Sequence, residues 1–358
     1  MTRTVASSAA YRDCVMTIAS TLASGIAAFL VSWLLTGLIL RVAIRFSILD
    51  HPNSRSSHSV PTPRGGGLGI VIVVVGAIAG LYLFGQMPAD VFASLVVGGI
   101  LIAGIGAVDD YRHVPAQWRF LVQIIAASFA VAMLGGLPNL QIGRQFVDLG
   151  LVGDVAAIIF TVWFINLYNF MDGIDGIAAI EAICIAGGAV IVLLVGGNSG
   201  FSTIMLIVFV AAVLGFLFWN WPPARIFMGD VGSGFIGLVL ALFAVITVKQ
   251  GLLPIWCWLI LAGVFVVDST ITLIIRVVSG EQWYSAHKNH AYQKASRRLG
   301  GHKPVTLVVL AIDLFWLLPI AFVATAQPES GWWLTLAAWI PLVLLVLLLK
   351  AGRPDLAA

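Results

Sequence analysis

Eleven near-continuous apolar runs divide this chain, over residues 15–40, 68–84, 91–108, 119–136, 155–168, 177–196, 201–219, 234–248, 255–275, 305–325 and 332–349. A helix needs about 20 apolar residues to cross the hydrocarbon core of a bilayer. The runs do not alternate as the roughly ten-residue strands of a membrane barrel do, so they predict helices. Composition points the same way. Hydrophobic residues make up 60% and charged residues 10%, against roughly 45–50% and 25% in soluble domains. So few charges cannot cover a soluble surface. The expected fold is an all-α integral membrane protein, a polytopic bundle of about 10–11 transmembrane helices forming one domain over residues 1–358. The first run follows Arg3 and Arg12 and is too long for the core of a signal peptide, so it reads as an uncleaved span. Cys14, Cys184 and Cys257 lie at or inside apolar segments without metal-type spacing and read as packing residues.

Alternating the loops sorts the 19 Lys and Arg residues unevenly. Four of them, Arg3, Arg12, Arg144 and Lys249, fall on one side and fifteen on the other. By the positive-inside rule the crowded side is cytoplasmic. That sets the N-terminus outside, the C-terminus inside, and the cytoplasmic loops at 41–67, 109–118, 169–176, 220–233 and 276–304. The polar residues capable of chemistry gather in these loops, which puts the expected active-site cleft on the cytoplasmic face.

Asp109 and Asp110 end the third run, where a helix C-terminus already presents partial negative charge, so a nearby cation is required. Arg112 or the headgroup rim would serve structurally; a divalent ion or a role as general base is the functional alternative. Asn166, Asn169, Asp172 and Asp175 recur every three residues. Each step slips about 60° round a helix, so one straight face cannot hold all four, and Gly173 and Gly176 suggest that the helix breaks there. Phe227, Met228, Gly229, Asp230, Val231, Gly232 and Ser233 lead into the eighth run, where glycines before a helix N-terminus would let backbone N–H groups approach an anion and Asp230 would suit Mg²⁺. His287, Lys288, His290, Lys294, Arg297, Arg298, His302 and Lys303 share one loop; phosphate contacts fit these basic neighbours better than zinc does. The first cytoplasmic loop adds Arg55, Arg64 and the triple glycine 65–67, again suited to an anion. Carboxylates and anion cradles on one membrane face indicate a phosphorylated substrate handled with a metal beside lipid.

These segments, Pro61 to Gly67, Asp109-Asp110, 169–176, 229–233 and the His287/His290 loop, resemble in order those of the polyprenyl-phosphate N-acetylhexosamine-1-phosphate transferase superfamily, over residues 51–304. The resemblance implies transfer of a sugar-1-phosphate from a UDP-sugar to undecaprenyl phosphate, release of UMP, and a need for Mg²⁺, with Mn²⁺ as a substitute. It implies a bacterial cytoplasmic membrane. The implied partners are undecaprenyl phosphate, a UDP-N-acetylhexosamine and the bilayer, with no nucleic acid; a homodimer is left open. Carried over by position, Asp109 and Asp110 resemble the aspartates near the lipid phosphate, and Asp230 the Mg²⁺ ligand. Asn169, Asp172 and Asp175 resemble nucleotide-site residues, and His287 and His290 the histidine motif near the diphosphate. Arg64, Gly229, Lys288 and Asp268 join the expected substrate-binding set.

Tyr111-Arg112-His113 stands where the peptidoglycan enzyme has a lysine after its aspartates, and His287-Lys288-Asn289-His290 replaces its run of histidines. The Arg55-Ser56-Ser57-His58 and Pro63-Arg64-Gly65 segments look more like the branch that initiates O-antigen and other surface polysaccharides. The runner-up readings are the peptidoglycan transferase and an ion-coupled transporter. The transporter draws on Asp268 and Asp313, carboxylates within apolar runs. Matched halves with interrupted spans, which such transporters show, are not visible. Asp268 is expected to turn into the cleft, with a partner from another element or from bound Mg²⁺.

Overall fold

A computed structural model describes residues 2–52, 60–281 and 288–353, with side chains from residue 19 onward. His287 and the 55–58 segment fall outside the described residues, as does the side chain of Cys14. The chain opens with α1 (Thr2–Arg45). A two-residue antiparallel ladder, β1 (Leu49–Asp50) and β2 (Thr62–Pro63), closes the first loop, with Leu49 opposite Pro63 and Asp50 opposite Thr62. Then come α2 (Leu68–Leu83), α3 (Ala89–Tyr111) and α4 (Ala116–Met133). A hairpin of β3 (Leu140–Ile142) and β4 (Gln145–Val147) precedes α5 (Gly150–Met171), α6 (Ile177–Val195), α7 (Phe201–Asn220) and α8 (Asp230–Lys249). The last part comprises α9 (Ile255–Leu261), α10 (Gly263–Val278), α11 (Ala291–Leu299), α12 (His302–Ile312), a π-helical turn (Asp313–Leu317), α13 (Leu318–Ala326) and α14 (Gly331–Leu348).

Among the described residues nine helices are long and apolar enough to cross a bilayer, α12 to α13 counting as one; α9 and α10 together make a tenth. The remaining apolar run is α2, which at 16 residues spans about 24 Å. The protein is an all-α polytopic membrane protein, as its apolar runs predict. One expected span is broken: α9 and α10 meet at 74°, with the break beside Gly263, a poor helix former.

At the centre stands α8. Every residue from Val231 to Thr247 is buried, because a helix apolar all round finds its place inside rather than at the surface. It packs chiefly against α3 and α5. Its N-terminus therefore meets the C-terminal ends of both, the ends that carry Asp109-Asp110 and Asn169. The site end of the bundle is defined by that convergence.

Candidate active site

The site is built on a close backbone contact. Phe227 N–H donates to the Pro63 carbonyl at 2.8 Å, and Gly66 and Gly67 N–H donate to the Phe227 and Met228 carbonyls, each at 2.9 Å. A side chain at Gly67 would stand 2.3 Å from the Gly232 Cα. Gly66 and Gly67 thus let two backbones touch. Their N–H groups are taken by protein carbonyls, so two of the three glycines expected to cradle an anion do not.

The turn into α8 is likewise filled from within. Gly229 has φ +78°, a conformation that glycine adopts without steric cost. The Asp230 and Val231 N–H groups then donate to the two Asp110 carboxylate oxygens at 2.8 and 3.1 Å. The anion at this helix N-terminus is Asp110 itself, where the macrodipole favours it.

Around this cap lies an alternating charge network. Arg64 bridges Asp110 Oδ1 through Nε (2.8 Å) and Asp230 Oδ1 through Nη2 (2.7 Å). Asn169 Nδ2 donates to Asp230 Oδ1 at 3.0 Å and to Ser233 Oγ at 2.9 Å. On the other side Arg119 Nη1 meets Asp109 Oδ2 at 2.7 Å and Asp230 Oδ2 at 3.2 Å. Val114 N–H completes Asp109 Oδ1 at 2.7 Å. The cations beside the aspartate pair are thus Arg64 and Arg119; Arg112 instead lies over the Tyr111 ring at 5.5 Å. Burial alone would lower the Arg64 guanidinium, but the Asp230 and Asp110 charges outweigh it and hold it above its ordinary value.

The every-third-residue series splits as helix geometry requires. Asn166 donates to Gln123 Oε1 on α4 at 2.7 Å, and Asn169 turns to α8. Helix α5 then ends, and Asp172 lines a cavity of about 170 Å³. Burial first, and then the Asp230 charge, push its carboxyl well above the ordinary carboxylate range. Gly176 has φ +76°, the departure from helix that the sequence suggests. Asp175 N–H donates to His302 Nδ1 at 3.3 Å, and Asp175 Oδ2 accepts from Ala224 N–H at 3.1 Å. Arg64, Asn169, Asp175, Gly229 and Asp230 line the same cavity.

Asp268 does not line that cavity. It is buried on α10, and it accepts from Ala291 N–H through Oδ1 (2.9 Å), from Tyr292 N–H through Oδ2 (3.0 Å) and from Thr272 Oγ1 (3.0 Å). Its partner does come from another element, as expected, but that partner is the N-terminus of α11. The expectation of a cleft-facing Asp268 is therefore corrected: the free amides of α11 satisfy the buried carboxylate. His290 is buried beside it, with Nδ1 3.4 Å from Asp268 Oδ1 and its ring stacked on Tyr292 at 5.7 Å. Lys288 is exposed, and its carbonyl accepts from Arg297. Helix α11 still reaches the cavity: Gln293 lines it, and Tyr292 OH donates to the Phe170 carbonyl at 3.0 Å.

Three residues singled out by the geometry carried no role in the sequence, Arg119, Gln293 and Asp50; the last two lie on the cavity wall, as does His302 from the basic loop. Arg119 carried a usable signal, because an arginine in the first turn of an apolar helix needs a partner or a polar face. Asp50 and Gln293 carried none. The transporter reading loses its support from Asp268, whose oxygens are bound by α11. Asp313 lies beside Glu181 of α6, a second buried acid.

Residues 92–248 match glycosyl transferase family 4. The chain is 30% identical over 288 residues to the probable undecaprenyl-phosphate N-acetylglucosaminyl 1-phosphate transferase of Bacillus subtilis, covering 78% of each. It is 30% identical over 320 residues to the decaprenyl-phosphate N-acetylglucosaminephosphotransferase of Mycobacterium tuberculosis, covering 80% of this chain and 77% of that one. To the decaprenyl-phosphate N-acetylglucosaminephosphotransferase of Mycolicibacterium smegmatis it is 32% identical over 319 residues, covering 80% and 76%. The matched region runs through the aspartate pair, the 169–176 turn and the Asp230 cap, and on that likeness the chain belongs to the polyprenyl-phosphate N-acetylhexosamine-1-phosphate transferase superfamily, within glycosyl transferase family 4.

Proposed function

We propose that this protein transfers N-acetylglucosamine-1-phosphate from its UDP-activated form to undecaprenyl phosphate, releasing UMP and opening the synthesis of a lipid-linked surface polysaccharide of the O-antigen kind. The observation that carries this is the position of Asp230. One carboxylate oxygen meets Arg64 and Asn169 on the cavity wall, and the other meets Arg119, which pairs with Asp109. A residue shared in this way can serve two anionic reactants at once. The relatives' N-acetylglucosamine specificity favours that sugar here; the likeness of the 55–58 and 63–65 segments favours the surface-polysaccharide role.

In this reading an oxygen of the acceptor phosphate attacks the sugar-bearing phosphorus of the donor. A new P–O bond forms, the P–O bond to UMP breaks, and UMP leaves with the electron pair. The obstacle is repulsion between anions. Arg64 and Arg119 supply fixed positive charge where it rises, and holding two bound reactants together contributes up to roughly 7–11 kcal/mol. Asp110 acts as a positioning residue, since it caps the N-terminus of α8 and so fixes Asp230 in place. Asp109, on the Arg119 side, takes any proton from the acceptor phosphate.

Asp230 and Asp172 both line the cavity, and among the described residues no three His, Cys, Asp or Glu side chains converge as a metal cage. That donor set fits Mg²⁺, which takes one or two carboxylates and completes its shell with water and substrate phosphate. Bound there, it would supply positive charge to the diphosphate and to the departing UMP. The excess of Lys and Arg in the loops at this end supports a cytoplasm-facing site in the bacterial inner membrane, with the N-terminus outside.

The test is the full chain purified in detergent with undecaprenyl phosphate, Mg²⁺ and a panel of UDP-amino sugars. UMP release that requires the lipid, strongest with UDP-N-acetylglucosamine, is the expected result. Absence of UMP with every donor would defeat the proposal.

A further inference from the structure

We infer that Arg119 is the residue that binds the phosphate of the acceptor lipid, an inference that rests on the transferase reading and adds a residue to it. Its two ion pairs, to Asp109 and Asp230, both fall on Nη1. The Nε donor is buried without a hydrogen-bond partner among the described residues, so the aspartates do not use up the guanidinium. The side chain is 31% exposed, yet it does not line the cavity that holds Arg64, Asn169 and Asp172. It opens elsewhere.

The ends of α3 and α4, which the Arg119–Asp109 pair joins, indicate the ligand's chemistry. Val108 and Tyr111 on α3 and Trp118, Phe120 and Leu121 on α4 are all exposed. Exposed apolar side chains with a Tyr and a Trp at the end of two spanning helices mark a surface facing lipid at the headgroup level. A partly exposed cation at such a surface suits an amphiphile with a phosphate head and a hydrocarbon tail. Arginine is the side chain best shaped for it, because its planar fork meets two phosphate oxygens together. Asp230 then stands between two approaches: the nucleotide sugar from the cavity through Arg64 and Asn169, and the lipid phosphate from the bilayer side through Arg119.

The experiment compares wild type, Arg119→Gln and Arg119→Lys as purified full chains, with thermal unfolding as a check on folding. Two quantities are read for each: the KM for undecaprenyl phosphate against the KM for the UDP-sugar, and binding of undecaprenyl phosphate alone by native mass spectrometry. Loss of a charge-assisted contact should raise the lipid KM of Arg119→Gln about 10- to 100-fold. The nucleotide-sugar KM should stay within about threefold, a difference of under 1 kcal/mol. Arg119→Lys, which keeps the charge for both aspartates but loses the fork, should fall between. A structural role alone would move both KM values together, and that result, or an unchanged lipid KM and lipid binding, overturns the assignment while wild-type turnover still upholds the transferase reading. A wild type that neither binds undecaprenyl phosphate nor releases UMP overturns both.

Discussion

Replacing Asp268 by Asn keeps the shape of the side chain but removes its charge and turns one acceptor oxygen into a donor. In the native protein the two oxygens accept from the first two N–H groups of α11, Ala291 and Tyr292. An Asn can satisfy one of them and must face the other with its own NH₂. The loss of one buried charge-assisted bond is about 1.5–3 kcal/mol, and the lost charge at a helix N-terminus adds about 0.3–1 kcal/mol. Together these make about 2–4 kcal/mol, so local opening of α11 should become about 30- to 700-fold more frequent. Amide hydrogen exchange over residues 290–299 reads that opening directly, and exchange over α8 serves as the internal reference. The functional consequence follows from what α11 carries. Tyr292 is bonded to the Phe170 carbonyl and Gln293 lines the cavity, so the KM for the nucleotide sugar should rise and turnover should fall at least about tenfold, or 1.4 kcal/mol. Unchanged protection of α11 together with lost activity would mean that Asp268 acts on substrate itself. Unchanged protection with full activity would refute the capping argument altogether.

Asp230→Asn should abolish turnover at every Mg²⁺ concentration with folding retained, since it weakens both arginine pairs at once; near-normal UMP release would count against the site. Gly67→Ala would drive a methyl group to 2.3 Å from the Gly232 Cα and should cost about 1–3 kcal/mol or more as overpacking, read as lowered yield and melting temperature. Asp172→Asn should raise thermal stability at neutral pH while reducing turnover. The native carboxyl is held above its ordinary range by burial and by Asp230, so its ionised form opposes folding above the unfolded value near 3.9; the advantage of Asn should vanish as pH falls below about 4.

How much could be read in advance differs between the spans and the site. The apolar runs were legible because a bilayer admits only segments that satisfy their own backbone. The need of Asp109-Asp110 for a cation, the helix break near Gly173 and Gly176, and the splitting of the Asn166–Asp175 series were legible because each is a local consequence of charge or helix period. The cation's identity was not. Arg112 is the near neighbour in sequence, yet Arg119, ten residues on from Asp109, and Arg64, in another loop, take the role. The glycine motifs misled in a specific way: glycine before a helix N-terminus admits any close partner, and here the partners are a backbone and Asp110 rather than a ligand.

From the sequence alone came the membrane architecture, the gathering of chemistry at one end and the family likeness, all of which depend on residue type, spacing and order along the chain. Only the tertiary structure decided that Asp110 caps α8 across 120 residues, that Asp268 caps α11 rather than facing the cleft, that α9 and α10 meet at 74°, and that Arg119 joins Asp109 to Asp230. A buried carboxylate announces in the sequence that it must have a partner, because an unpaired charge in low dielectric is too costly to keep. Which partner it has depends on which helix ends the packing brings within 3 Å, and packing joins residues without regard to their distance along the chain.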